Sequence, residues 1–152
     1  MNKLIAAGAG AFALVLASDI ASAAMTEAQC AAAFKSADAN SDGVLSETEG
    51  RRYFAAMRVA QKPMAGNSMT QAAFMENCKA DVFVVTNKDP GAPLPGANSF
   101  TEAQAKDRAM AAGLSNVSAL VKDDKGVWRG TATDGGKSHN LAVDFKGNVV
   151  AN

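Results

Sequence analysis

The sequence predicts an α+β protein, with an N-terminal all-α module followed by a small domain in which one helix packs on an antiparallel meander. Three observations carry that expectation. Residues 26–81 place apolar side chains at helical spacing. Residues 87–99, NKDPGAPLPGANS, gather three of the four prolines with Gly91 and Gly96, which forbids a regular element there. From residue 100 onward a single helical pattern gives way to short alternating runs separated by DDKG, DGGK and KGN. The expected organisation is a leader over 1–23, a helical module over 24–81, a linker over 82–99 and the C-terminal domain over 100–152.

Composition narrows the function classes. A chain of 152 residues suits one domain or two small ones. Lys plus Arg and Asp plus Glu balance at 15 each, so no net field attracts nucleic acid or acidic lipid. No basic run with interleaved aromatics restores a nucleic-acid reading. The leader reads as an export signal: MNK is basic, LIAAGAGAFALVL is apolar, and Ala21 and Ala23 are the small residues a signal peptidase accepts. Cleavage is expected near Ala23 or Ala24, placing the protein in the periplasm or outside the cell. Asp19 interrupts the apolar run before the roughly 20 residues that a membrane span needs, and no later run approaches that length.

Thr26-x-x-Gln29 is a capping box that starts a helix running to about Ala37, with Cys30, Ala33, Phe34 and Ala37 on one face. A second helix is expected from about Glu47 to Gln61, with Tyr53, Phe54, Met57 and Ala60 apolar. A third should run from about Thr70 to Asp81, capped by Asn67 or Ser68. Cys30 and Cys78 each share a helix face with a phenylalanine. In an exported chain the two form a disulfide or stay as buried thiols. There is no CxxC pair and no His beside either cysteine, so neither reads as catalytic. Two cysteines and His139 are too few for a structural zinc site.

Between the first two helices stands DANSDGVLSETE, residues 38–49. A hard cation takes six to eight oxygens at about 2.3–2.6 Å. Asp38, Asn40 and Asp42 alternate, so their short side chains can converge on one point. Gly43 permits the sharp turn that follows. Val44 offers its carbonyl, Ser46 acts through a water, and Glu49 has the reach to bind through both carboxylate oxygens. A capping box between Ser46 and Glu49, with a simple turn before it, accounts for the tail of this stretch but not for the alternation ahead of Gly43. The pattern D-x-[DN]-x-[DN]-G-x₅-E within a helix–loop–helix resembles the EF-hand calcium-binding family over residues 26–61. All-oxygen donors and a terminal Glu favour Ca²⁺ over Mg²⁺, with a trivalent lanthanide also less favoured. One such loop in an exported chain suggests affinity on the order of 10⁻⁴ M. MTQAAF (69–74) has the cadence of a second loop joining its exit helix, but the register puts Lys62, Met64, Gly66 and Ala73 at the ligand positions. That half reads as a degenerate hand without metal, whose residues near Met69 brace Leu45.

In the C-terminal part, Thr101 starts a helix to about Ala112, with Gly113 as its stop. VSALVKD, GVWRGTAT and HNLAVDF read as strands. In the third, Leu141, Val143 and Phe145 alternate with Ala142 and Asp144, the period of a half-buried strand. Ala112-Gly113, Val117, Leu120, Gly126, Trp128, Gly130, Gly136-Lys137, Asp144 and Gly147 together are similar to the PepSY-type domain over residues 100–152. That resemblance implies a non-catalytic module of exported proteins, found in peptidase propeptides, which restrains or binds other proteins. Trp128 reads as packing, His139 as solvated, and Asp123 and Asp124 as turn residues. No catalytic set emerges. The expected protein is an exported calcium binder with a protein-binding module and no enzymatic activity. The competing reading is a PepSY-type regulator or inhibitor of an exported peptidase, in which the metal is only structural.

Overall fold

The computed structural model describes residues 24–84 and 91–152. The expected leader over 1–23 and part of the Pro/Gly stretch lie outside those residues. Thr26 and Gln29 form the reciprocal box, with the Thr26 N–H donating to Gln29 Oε1 at 2.8 Å, and α1 spans Glu27–Ala37. Helix α2 spans Arg51–Val59 and α3 spans Gln71–Lys79. Cys30 of α1 and Cys78 of α3 are joined by a disulfide across the helical core. Beside it Phe74 meets Phe34 edge-on at 5.3 Å and Tyr53 at 4.7 Å between ring centroids. Such pairs add about 0.5–1.5 kcal/mol each beyond the area they bury.

The N-terminal module is not purely helical. Strands β1 (Val44–Ser46) and β2 (Ser68–Thr70) pair antiparallel, with Leu45 opposite Met69, and both of those side chains are buried. Ser68 is therefore a strand residue, and Thr70 caps α3 by accepting the Ala73 N–H. Helix α2 begins four residues later than expected, because residues 47–50 form a turn closed by Gly50 N–H to the Ser46 carbonyl. Its buried set is Phe54, Ala55, Ala56 and Met57, while Ala60 is exposed. Four consecutive buried residues mean that this helix is covered on two sides.

Helix α4 spans Glu102–Ala111 behind a second reciprocal box, Thr101 with Gln104. Four strands follow, β3 (Val121–Lys122), β4 (Trp128–Asp134), β5 (Lys137–Val143) and β6 (Val149–Ala151), antiparallel and in sequence order. Only two residues of VSALVKD pair as a strand, and the chain end adds a fourth strand that alternation in a three-residue run does not reveal. Leu141, Val143 and Val149 face α4 with Ala105 and Ala109. Val127, Ala142 and Val150 form a separate buried cluster, which alternation places on the other face. Asp144 shares the Ala142 side of β5, and its residue surface is 0% exposed. The expected polar, solvated face is thus closed.

Residues 94–96, part of the stretch expected as a linker over 82–99, lie against it. Val82 and Phe83 belong to the helical core, Phe83 lying 4.9 Å from Tyr53 between rings. Farther on, the Leu94 N–H donates to Asp144 Oδ2 at 3.1 Å and the Gly96 N–H to the Lys125 carbonyl at 2.9 Å. Gly126 has φ +77° and faces the Gly96 carbonyl so closely that a Cβ would collide with it. Gly126→Ala is expected to cost about 2–4 kcal/mol, combining left-handed strain with the backbone clash. Gly113→Ala, at φ +93° but facing open space, should cost only about 1 kcal/mol. Urea denaturation of the two variants measures the difference.

The two halves meet along α2 and α4. Arg58 Nη2 lies 2.8 Å from Asp107 Oδ1, and Arg58 Nη1 lies 3.3 Å from Glu47 Oε1. The Asp107 hydrogen bond holds the Arg58 guanidinium above its ordinary value, against the opposing effect of burial. Ala55, one turn before Arg58, lies on the same face. Ala111 of α4 belongs to the helical core, with Met110 packed against it.

Candidate metal centre

The loop begins where α1 ends. Asp38 is the C-cap residue, its N–H donating to the Phe34 carbonyl. Its carboxylate folds back over the loop, accepting the Asp42 N–H at 3.2 Å and the Gly43 N–H at 3.0 Å. Asn40 Oδ1 also accepts from the Asp42 N–H at 3.0 Å, and Asn40 Nδ2 donates to Asp42 Oδ2 at 3.0 Å. Asp42 Oδ1 accepts the Val44 N–H at 2.9 Å. The three side chains are thereby pinned to one winding of backbone, with Asp38 mostly buried and Asn40 and Asp42 exposed.

Gly43 has φ +79° and open space where a Cβ would stand, so its backbone angle alone calls for glycine. Immediately after it, Val44 and Ser46 are held in β1, and Leu45 is anchored in the core opposite Met69. This pairing is the brace that the MTQAAF cadence predicted.

Glu49 closes the loop from the far end. Its Oε1 accepts the Asn40 N–H at 3.3 Å, while Oε2 accepts the Ser46 N–H at 3.1 Å and the Ser46 hydroxyl at 2.7 Å. The Ser46 hydroxyl in turn accepts the Glu49 N–H at 3.3 Å. The reciprocal Ser46–Glu49 box is therefore real, although the helix it would start begins later. These bonds, the Ser46 hydroxyl first, hold the Glu49 carboxyl below its ordinary value.

All six expected ligand residues lie on this one winding, but their carboxylates bind loop N–H groups. Among the described residues no three His, Cys, Asp or Glu side chains gather as a metal-ligating cluster. Asn40, Ser46 and the Val44 carbonyl fall outside that chemistry, yet all are hard oxygen donors of the kind calcium takes.

The other sequence candidates resolve into structural roles. Trp128 packs against the sheet–helix core and donates Nε1–H to the Phe100 carbonyl at 3.1 Å. Asp123 accepts from the N–H groups of Lys125 and Val127 and from Arg129 Nε, which makes it a turn residue. His139 sits partly exposed within β5, opposite Ala132. Two features escaped the sequence reading. One is the Glu47–Arg58–Asp107 chain, which has no local signal. The other is the buried Asp144, for which the acid ahead of Lys-Gly-Asn was a usable sign of a side-chain-closed turn.

Among the described residues no helix is long and apolar enough to cross a membrane. Compared with known proteins, the chain matches no family profile, no curated protein and no solved structure.

Proposed function

We propose that the protein is an exported calcium-binding protein with one EF-hand-like loop, joined to a PepSY-like module that binds another protein. The observation that carries the reading is the complete ligand spacing of residues 38–49 on a helix-flanked winding, with left-handed Gly43 and with Leu45 braced by Met69. The residues that would hold the ion are Asp38, Asn40, Asp42 and Glu49 through side chains, Val44 through its carbonyl and Ser46 through a water. The donor set fits, because every group is a hard oxygen and the three acids offset the charge of a divalent cation.

A bound ion would supply a fixed double positive charge that ties the end of α1 to the turn before α2. For that, Glu49 must exchange the Ser46 and Asn40 N–H groups for the ion. Asp38 and Asp42 keep the backbone wound meanwhile. Binding only to the folded chain then stabilises it by linkage. Export is supported by the leader composition and by the Cys30–Cys78 disulfide, which suits an oxidising compartment.

Calorimetric titration with Ca²⁺, Mg²⁺ and La³⁺ tests the site. Calcium is expected to bind near 10⁻⁴ M, more tightly than magnesium. Glu49→Gln should weaken it at least tenfold. An unchanged calcium isotherm in that variant, or no heat at millimolar calcium, overturns the reading. The alternative, a peptidase regulator with a structural metal, draws on the edge position of β3 and on Val121, which is 71% exposed there. Recovery of a peptidase from periplasmic extract, equally with and without EGTA, would favour it.

A further inference from the structure

A cleft of about 440 Å³ opens where the helical half meets α4 and the sheet. Its floor is aliphatic, formed by Ala56 and Val59 of α2, Val82 and Val84 beyond α3, Ala111 of α4 and Val149 of β6. Its charged lining is Arg108 and Lys62, opposed by Asp81. This size and placement are those of small-molecule sites, which run about 300–1,000 Å³ and favour junctions between structural units.

Arg108 is the feature that packing alone does not explain. Its guanidinium carbon stacks 3.7 Å from the Phe100 ring centroid, and its side chain crosses Gly147, where a Cβ would stand 2.6 Å from Nε. Its Nη1 donates to the Gln104 carbonyl at 3.2 Å. The head is thus held in place, yet that bond engages one of its five N–H donors. The neighbouring Asp107 is committed to Arg58, and among the described residues neither Arg108 nor Lys62 forms an ion pair. Burial pushes the Arg108 guanidinium down from its ordinary value. A half-buried cation without an anion is costly, and a ligand carboxylate would remove that cost.

We propose that this cleft binds a small apolar monocarboxylate of the medium-chain fatty-acid class, with its tail on the aliphatic floor and its carboxylate on Arg108, assisted by Lys62. A multiply charged anion such as phosphate suits the site poorly, because Asp81 adds a negative charge and the rest of the lining is mostly aliphatic. A neutral apolar ligand would desolvate Arg108 without pairing it. The assignment is independent of the calcium loop, which lies at the other end of α2.

Calorimetric titration of the disulfide-intact chain with decanoate, 1-decanol and inorganic phosphate tests it. Decanoate is expected to saturate one site, decanol to bind about tenfold more weakly, and phosphate not to bind. Arg108→Met keeps an aliphatic stem on Phe100 and should reduce decanoate to the decanol level. Lys62→Gln, at an exposed position, should weaken decanoate about threefold. Equal binding of decanoate and decanol, phosphate binding as tight as decanoate, or decanoate affinity unchanged in Lys62→Gln and in a folded Arg108→Met overturns the proposal. Thermal unfolding of each variant establishes that it is folded.

Discussion

Replacing Cys30 and Cys78 together with Ala is expected to lower the unfolding free energy by about 4 kcal/mol. The bond spans a sequence separation of 48 and joins the first and third helices, so cutting it frees a long loop in the unfolded chain. Both cysteines are almost fully buried, so reduction would also place two thiols in a core that has already closed around them. Against a typical total of about 5–15 kcal/mol, this one crosslink is a large share. Urea denaturation of the double variant, the oxidised chain and the reduced chain separates crosslink from packing. A reduced wild type within 1 kcal/mol of the oxidised form would show that the Phe34, Tyr53 and Phe74 contacts hold α1 and α3 together without it.

The second large effect is expected at Asp144. Its carboxylate accepts four hydrogen bonds, from the N–H groups of Leu94, Lys146 and Asn148 and from Asn148 Nδ2, at 2.9–3.1 Å. Burial pushes this carboxyl up, but the four donors outweigh it and hold it below its ordinary value. Asp144→Asn would turn an amide donor toward that ring of donors and should cost about 2–4 kcal/mol at neutral pH. The sign of the pH dependence follows. A carboxyl with a lowered folded value contributes fully above its ordinary value and loses that contribution as the pH falls through the lowered one. The wild-type advantage over Asp144→Asn should therefore be constant from pH 7 down to about 4 and shrink in stronger acid. Denaturation midpoints of both proteins between pH 7 and pH 2 measure it. A gap that persists unchanged at pH 2 would show that shape, not charge, sets the cost.

What the sequence made legible is what local chemistry fixes. The two Thr-x-x-Gln boxes began helices where expected, Gly113 ended one, and DGGK became the turn between β4 and β5 because it fits a two-residue hairpin loop. Within the loop of 38–49 the sharp turn at Gly43 and the Ser46–Glu49 box were readable, since both are set by near neighbours. What escaped depends on distant parts of the chain. Ala55 and Ala56 carry no local signal of burial, and Asp144 looks solvated until Leu94 lies against it. The two-stranded ribbon was foreseen only as a brace between Leu45 and Met69, because three-residue strands leave too short a period to recognise.

Helix α2 is shared by both halves, and this limits how the protein can be taken apart. A boundary drawn in the sequence after residue 81 or 99 would assign α2 to one half, although α2 packs on α4 and Arg58 pairs with Asp107 there. Either half expressed alone would keep its local turns and caps but expose a face made for its neighbour. The chain should accordingly melt in one transition, and its α2 amides should be among the slowest to exchange with deuterium. Transplanting the loop of residues 38–49 into another scaffold would then need only that segment and its strand partner, whereas transplanting the helical half would need α4 as well.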